Sequence, residues 1–484
     1  MSTRNRSRSR PDTADTVLES GFDVAADTSL PQAALARCLH EIPNYVVLRN
    51  EEDIFENLRR GGDVDLLVGD VALAERMLIR HLGPAIRIIR SSYVTGYSYD
   101  WGHLDLLPTI EWRGARYLRT DAVLQRRRVS ARGWPVPRIA DEAVISWLTS
   151  LLWGGFFKER YATVIRQAVE IDGVAFRQAL TEAVGRKWGF RLWRAAADGR
   201  PEASADWAHS LRRVVWWRAC LSSPVRTVLR WLAFVIGQLR LRFEPPVPWI
   251  AILDTRDRLE SSVSNEIVQR LGVCPFATVT AFPWHPRRIG RAQFSQLTVD
   301  PLGRLRREPI SWWTVLAHAA DWVVAYWTRV VHLRAKGYIP ACDGTSVDLL
   351  VDFARDREAA RRLARLLWPL LPKPDLVFVL DSEPEVVTLA ASDGLQSDVA
   401  RRNHAYKAFV RQVPAGYVLN AGLPPGTLAD EIQGAIRAWL LTRSAVRLGG
   451  TQAPIAAVPA ANDRALNAAP TFLSRGDDSR RPAR

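Results

Sequence analysis

The run Asp63-Val-Asp-Leu-Leu-Val68, entered through Gly61-Gly62, narrows the folding options of this chain more than any other segment. Side chains alternate sides along a strand, so Asp63 and Asp65 share one face while Val64 and Leu66 take the other. A strand with apolar residues on one side and two carboxylates on the other belongs in a sheet whose acidic side opens on a cleft. Similar apolar runs surround it at 45–48 (YVVL), 85–90 (AIRIIR) and 103–112 (HLDLLPTIEW), and the stretch 72–82 (ALAERMLIRHL) has helical period. Strands alternating with helices point to an α/β or α+β domain here, and to the α/β class for the chain as a whole.

Asp105 is an acid inside an otherwise apolar strand, and a buried carboxylate there needs a partner or a metal. With Asp63 and Asp65 it completes a set of hard oxygen ligands suited to one or two Mg²⁺ ions carrying a nucleoside triphosphate. An Asp-x-Asp at a strand start is also a common turn feature, and alone it would carry no chemistry.

At 484 residues the chain has room for two to four domains. Five segments are expected: a disordered basic tail (1–25), a small α/β domain (26–130), a helical domain (131–245), a second α/β domain built on a parallel sheet with helices on both faces (246–445), and a disordered Ala/Pro-rich tail (446–484). The four cysteines are scattered without CxxC spacing, which argues against a zinc site or a disulfide framework and fits a reducing compartment. The net charge of +15 comes with no motif for sequence-specific nucleic acid reading. The apolar stretches at 225–241 and 310–331 are broken by charged residues, so a cytoplasmic protein is expected. Segment 211–242 mixes Trp, Leu and Val with Arg at helical spacing. Its favoured reading is a helix packing its apolar stripe on the domain junction, and docking on anionic lipid is the alternative. Lys158 and Arg160 either reach phosphates at the first site or form a solvated basic face.

The stretch 249–271 (WIAILDTRDRLESSVSNEIVQRL) reads as strand, loop and helix, the setting of a P-loop. Laid over GxxxxGK[ST], Asp254 and Leu259 stand at the glycines and Glu260 at the lysine, and only Ser261 fits. A unit-charge contact at 4 Å is worth about 4 kcal/mol near a protein surface. Exchanging Lys for Glu removes one attraction and adds a comparable repulsion, so this loop is not expected to hold a triphosphate.

Over about 26–130, the segments YVVLRN (45–50), GGDVDLLV (61–68) and HLDLLP (103–108) resemble the nucleotidyltransferase superfamily with the DNA polymerase beta-like fold. The resemblance implies that Asp63 and Asp65 bind the metals, that Asp105 helps activate an acceptor of unknown identity, and that Arg49, Asn50, Gly61 and Gly62 lie on the nucleotide side. Arg49 and Asn50 stand where that family has its Gly-Ser pair, with Arg49 holding the triphosphate by charge.

Over about 246–445, FPWHP (282–286), CDGTSVDLLVD (342–352), LLPKPDLVFVLDSEPE (370–385), Tyr406 and YVLNAGLPP (417–425) follow the order found in thymidylate kinase-like P-loop proteins. Asp343 matches that family's aspartate. Gly344 replaces its arginine, however, and VVTLAASDG (386–394) replaces its basic lid, which implies a kinase fold without kinase chemistry. Chains pairing two such domains are similar to ones that accompany bacterial surface-polysaccharide genes. The alternative to nucleotidyl transfer is a silent scaffold that binds a protein partner through the old clefts.

Overall fold

The computed structural model describes residues 31–48, 54–59, 62–254, 262–271, 278–282, 297–299, 305–307, 312–342, 358–381, 403–411, 413 and 415–448. Both expected tails lie almost wholly outside these residues, as do Arg49, Asn50, Gly61, the loop 255–261, Asp343, Gly344 and segment 386–394.

The N-terminal part runs α1 (Gln32–Glu41), β1 (Tyr45–Val47), α2 (Ile54–Arg59), β2 (Asp63–Val68), α3 (Val71–Leu82), β3 (Arg87–Arg90), β4 (Thr95–Tyr99) and β5 (Gly102–Leu107). Asp70 caps α3 by accepting from the Leu73 amide at 3.0 Å. The five strands form one mixed sheet in the order β1-β2-β5-β4-β3, and only the β2–β5 pair is parallel. β4 (TGYSY) has no apolar run, and sequence periodicity passes over it.

Both faces of this sheet are covered. Val64, Leu66, Val68, Leu104 and Leu106 pack with Leu35, Leu39 and Leu78 of α1 and α3. Leu67 on the opposite face joins a core that continues through a β-hairpin, β6 (Ile110–Trp112) and β7 (Ala115–Leu118), into the helical middle. Next come α4 (Thr120–Gln125), a short pair β8 (Arg128–Val129) and β9 (Pro135–Val136), then α5 (Ile139–Thr149), α6 (Ala162–Val184), α7 (Arg186–Ala197), α8 (Ala208–Ser222) and α9 (Pro224–Phe243). Trp147 on α5 and Phe176 on α6 stack within this core at 6.3 Å. The border expected at 130 therefore runs through one continuous apolar core.

The second sheet is parallel throughout, in the order β11-β14-β10-β15-β16. Its first elements are β10 (Ile250–Asp254), α10 (Ser262–Leu271) and β11 (Val279–Phe282). A small hairpin, β12 (Leu297–Val299) and β13 (Leu305–Arg307), leads to α11 (Trp312–Ala325) and, after a π-helical turn, α12 (Val331–Ala335). β14 (Ile339–Cys342), helix Glu358–Leu367, β15 (Leu376–Asp381), β16 (Gly416–Asn420) and helix Pro425–Arg447 complete it. Ile250 and Ile252 pack toward helix Pro425–Arg447, while Trp249, Ala251 and Leu253 pack toward α11. This burial on two sides explains why the strand reads as an unbroken apolar run. The whole is a multi-domain α/β protein.

The C-terminal unit also covers the open edge of the first sheet. Ser444 Oγ donates to Ile86 O at 2.8 Å, Arg447 donates to Ile88 O, and Arg87 Nη1 donates to Gly337 O at 2.9 Å. Arg437 forks onto Asp100 at 2.9 and 3.2 Å. An edge strand offers unpaired backbone groups to any passing chain, and here they face the protein's own second half.

Candidate metal centre

Asp63, Asp65 and Asp105 meet: one carboxylate oxygen from each lies within 4.8 Å of the others. The parallel pairing of β2 and β5 sets Asp65 opposite Asp105 and Asp63 opposite His103. Asp63 is exposed, Asp65 is buried and Asp105 is half-buried, so the set grades from solvent into the protein. At 4.8 Å two such charges repel by about 3.5 kcal/mol at an effective dielectric of 20. Three hard oxygen donors so placed could hold a cation such as Mg²⁺, and acidic groups also cluster without one.

The carboxylates line a cavity of roughly 280 Å³ between the sheet and α5. Glu111 is a fourth acid in its wall. Tyr93, Tyr117 and Trp153 supply aromatic surface, and no Lys or Arg lines the cavity among the described residues. Tyr93 and Trp153 lie 4.8 Å apart, and Phe234 of α9 stands behind both at 6.1 and 6.2 Å. Burial raises the Glu111 carboxyl above its usual range, although Thr109 donates to it at 3.0 Å. Burial, with Asp105 adding its charge, raises the Tyr93 phenol as well.

A chain of hydrogen bonds ends on Asp105. Arg87 Nε donates to Ser98 Oγ at 3.1 Å, Ser98 Oγ lies 2.9 Å from His103 Nδ1, and His103 Nε2 lies 3.0 Å from Asp105 Oδ1. Arginine can only donate, so Ser98 Oγ accepts from Arg87, while the directions of the two bonds to His103 follow its tautomer. With a hydrogen on Nε2 the ring donates to Asp105. Gly96 lies opposite Asp105 on β4, and a Cβ there would sit 2.7 Å from Asp105 Oδ1 and 2.9 Å from His103 Nε2. Glycine at 96 is what lets the pair form.

On the other side of the site, Gly62 leaves room for Asn57. Its Cβ would stand 2.3 Å from Asn57 Oδ1, and Asn57 Nδ2 donates to the Asp63 carbonyl at 2.7 Å. Leu48 N–H donates to Asp65 O at 2.9 Å. Lys158 and Arg160 are not among the cavity-lining residues, and Arg160 lies over the Tyr161 ring.

Sequence reasoning names the three aspartates but not Glu111, His103, Ser98, Arg87, Tyr93 or Trp153. The spacing His103-x-Asp105 was the one legible signal, since period two puts both on one face. The remainder depend on which strands and helices become neighbours.

No family model matches the chain, and no curated protein matches it. Among solved structures, it is similar to thymidylate kinase from Candida albicans at 15% identity and a TM-score of 0.29, covering 40% of this chain and 93% of that one. A likeness of that size bears on no functional point.

Proposed function

We propose that Asp63, Asp65 and Asp105 hold Mg²⁺ and a nucleoside triphosphate, and that the site transfers a nucleotidyl group to an acceptor hydroxyl. The convergence of the three carboxylates within 4.8 Å at the mouth of a cavity supports this reading more than any other observation. Bound there, Mg²⁺ would supply the positive charge that no lining side chain among the described residues offers. Asp105, oriented by His103, receives the acceptor's proton as its oxygen bonds the α-phosphorus and pyrophosphate leaves. The faces of Tyr93 and Trp153 give a planar or ring-shaped group a stacking wall. The second α/β unit carries no kinase chemistry in this reading, because acids stand where a P-loop needs glycine and lysine.

The rival is a silent scaffold that binds a protein partner through this cleft. Two measurements separate them. With Mg²⁺ and each triphosphate, supplied with cell extract as the acceptor source, the wild type should release pyrophosphate. Its melting temperature should rise with Mg²⁺ and triphosphate, while that of Asp63→Asn/Asp65→Asn should not. Equal shifts in both proteins, with no pyrophosphate, would leave the scaffold.

A further inference from the structure

The apolar stripe of α9 faces solvent, contrary to the expectation that it packs on the domain junction. Residues 225, 228, 229, 232, 236, 239 and 243 recur at helical spacing, all are apolar, and all are exposed: Val225 by 69%, Ile236 by 62% and Phe243 by 69%. The opposite side of the helix is the one that docks. Thr227 and Leu241 are buried, Phe234 backs Tyr93 and Trp153, and the backbone at 230–231 is so close to Gly114 that a Cβ there would clash. On the preceding helix, Trp217 and Leu221 are exposed by 63% and 81%. Phe243 meets the half-exposed Trp327 edge-on at 6.0 Å. Single exposed apolar residues are ordinary, but a continuous stripe of this length is not.

The charge around this surface is mostly positive, with Glu244 at its end paired to Arg240 at 3.1 Å. From residue 208 to residue 243 there is no Asp or Glu, while Arg213, Arg218, Arg226, Arg240 and Arg242 are exposed around the stripe. We infer that α8 and α9 form a docking face for an anionic lipid bilayer, lying in the headgroup plane with the Arg side chains on the phosphates and the stripe in the acyl boundary. No helix among the described residues is long and apolar enough to cross a membrane, so the contact is peripheral. A helix of 20 residues presents about 30 Å of convex surface, which suits a fluid plane and offers no groove to a protein ligand. Pairing two copies through this face would set like charges against like, whereas acidic headgroups neutralise them. Because α9 also backs the cavity's aromatic wall, the face would hold the acidic cleft close to the bilayer. The inference stands whether or not that cleft transfers nucleotides.

The test is co-sedimentation of the full chain with vesicles of phosphatidylcholine, alone or with about one-third phosphatidylserine. Binding only to the anionic vesicles, weakening as salt is raised, is expected. An arginine near such a surface is worth about fivefold in partitioning, so Arg226→Glu/Arg242→Glu should bind at least about 25-fold less. Leu232→Asp/Ile236→Asp, at exposed positions, should lose binding while keeping the wild-type melting temperature and pyrophosphate release. The proposal is overturned by failure to pellet with anionic vesicles. It is equally overturned if Leu232→Asp/Ile236→Asp binds as wild type, which would mean unspecific basic adsorption. Concentration-dependent dimerisation abolished by those substitutions, without vesicle binding, would make the face a contact between copies.

Discussion

Replacing Asp105 by Asn tests the metal centre through stability, without needing to know the acceptor. Asparagine keeps an oxygen that can accept from His103 Nε2, now at 3.0 Å from Asp105, and keeps the shape of the side chain. What it removes is one negative charge within 4.8 Å of Asp65. The full repulsion of about 3.5 kcal/mol at an effective dielectric of 20 must be reduced because Asp105 is partly solvated, leaving about 1.5–2 kcal/mol. In EDTA the variant should therefore be more stable than wild type, by roughly 3–8 °C if the N-terminal unit melts as a body of about 200 residues. Magnesium should reverse the order. A ligand that binds only the folded state stabilises it by RT ln(1 + [L]/Kd), so wild type overtakes the variant once Mg²⁺ reaches about twenty times its Kd. Differential scanning fluorimetry across a Mg²⁺ series reads the crossing directly. A variant that melts below wild type in EDTA, or that gains as much from Mg²⁺, would show that Asp105 is an ordinary hydrogen-bonded acid and no metal ligand.

Gly96→Ala should part His103 from Asp105, cutting pyrophosphate release about tenfold for a stability loss of about 1–3 kcal/mol; unchanged turnover would remove the hydrogen-bond chain from the mechanism. Glu111→Gln should stabilise the protein at neutral pH, because burial holds the folded carboxyl above its ordinary range and so penalises its charged form. That advantage should fade as pH falls below the ordinary glutamate range, where Glu111 is protonated in both states; chemical denaturation at several pH values gives the profile. Arg126→Ala should cost about 2–4 kcal/mol in urea unfolding, since it strips a two-pronged contact of 2.9 and 3.0 Å from the buried Asp141 carboxylate.

Several features of the site are legible in the chain because they follow from the period of a single element. Asp63 and Asp65 share a face whatever the strand pairs with, and Asp105 stands out in the apolar run HLDLLP. Asp105 was recognisable as a candidate, but its meeting with Asp65 rests on β5 inserting next to β2 after two intervening strands, one of them the inconspicuous TGYSY. Glu111, Tyr93 and Trp153 reach the cavity from a hairpin, a loop and the π-helical turn Ser150–Gly154 after α5, three places whose neighbourhood no local pattern encodes. The covered edge of the first sheet, held by Arg87, Ser444 and Arg447, is likewise a contact between segments more than 200 residues apart.

The helix α9 separates the two kinds of information most plainly. The sequence alone determines that residues 225–243 form a stripe of apolar side chains among arginines, because 3.6 residues per turn decide which side chains align. Only the tertiary structure decides that Thr227, Phe234 and Leu241 face the protein and the stripe faces out. Periodicity orients a side chain about its own axis, whereas the direction in which that axis is docked depends on partners such as Gly114, Tyr93 and Trp153, drawn from distant parts of the chain.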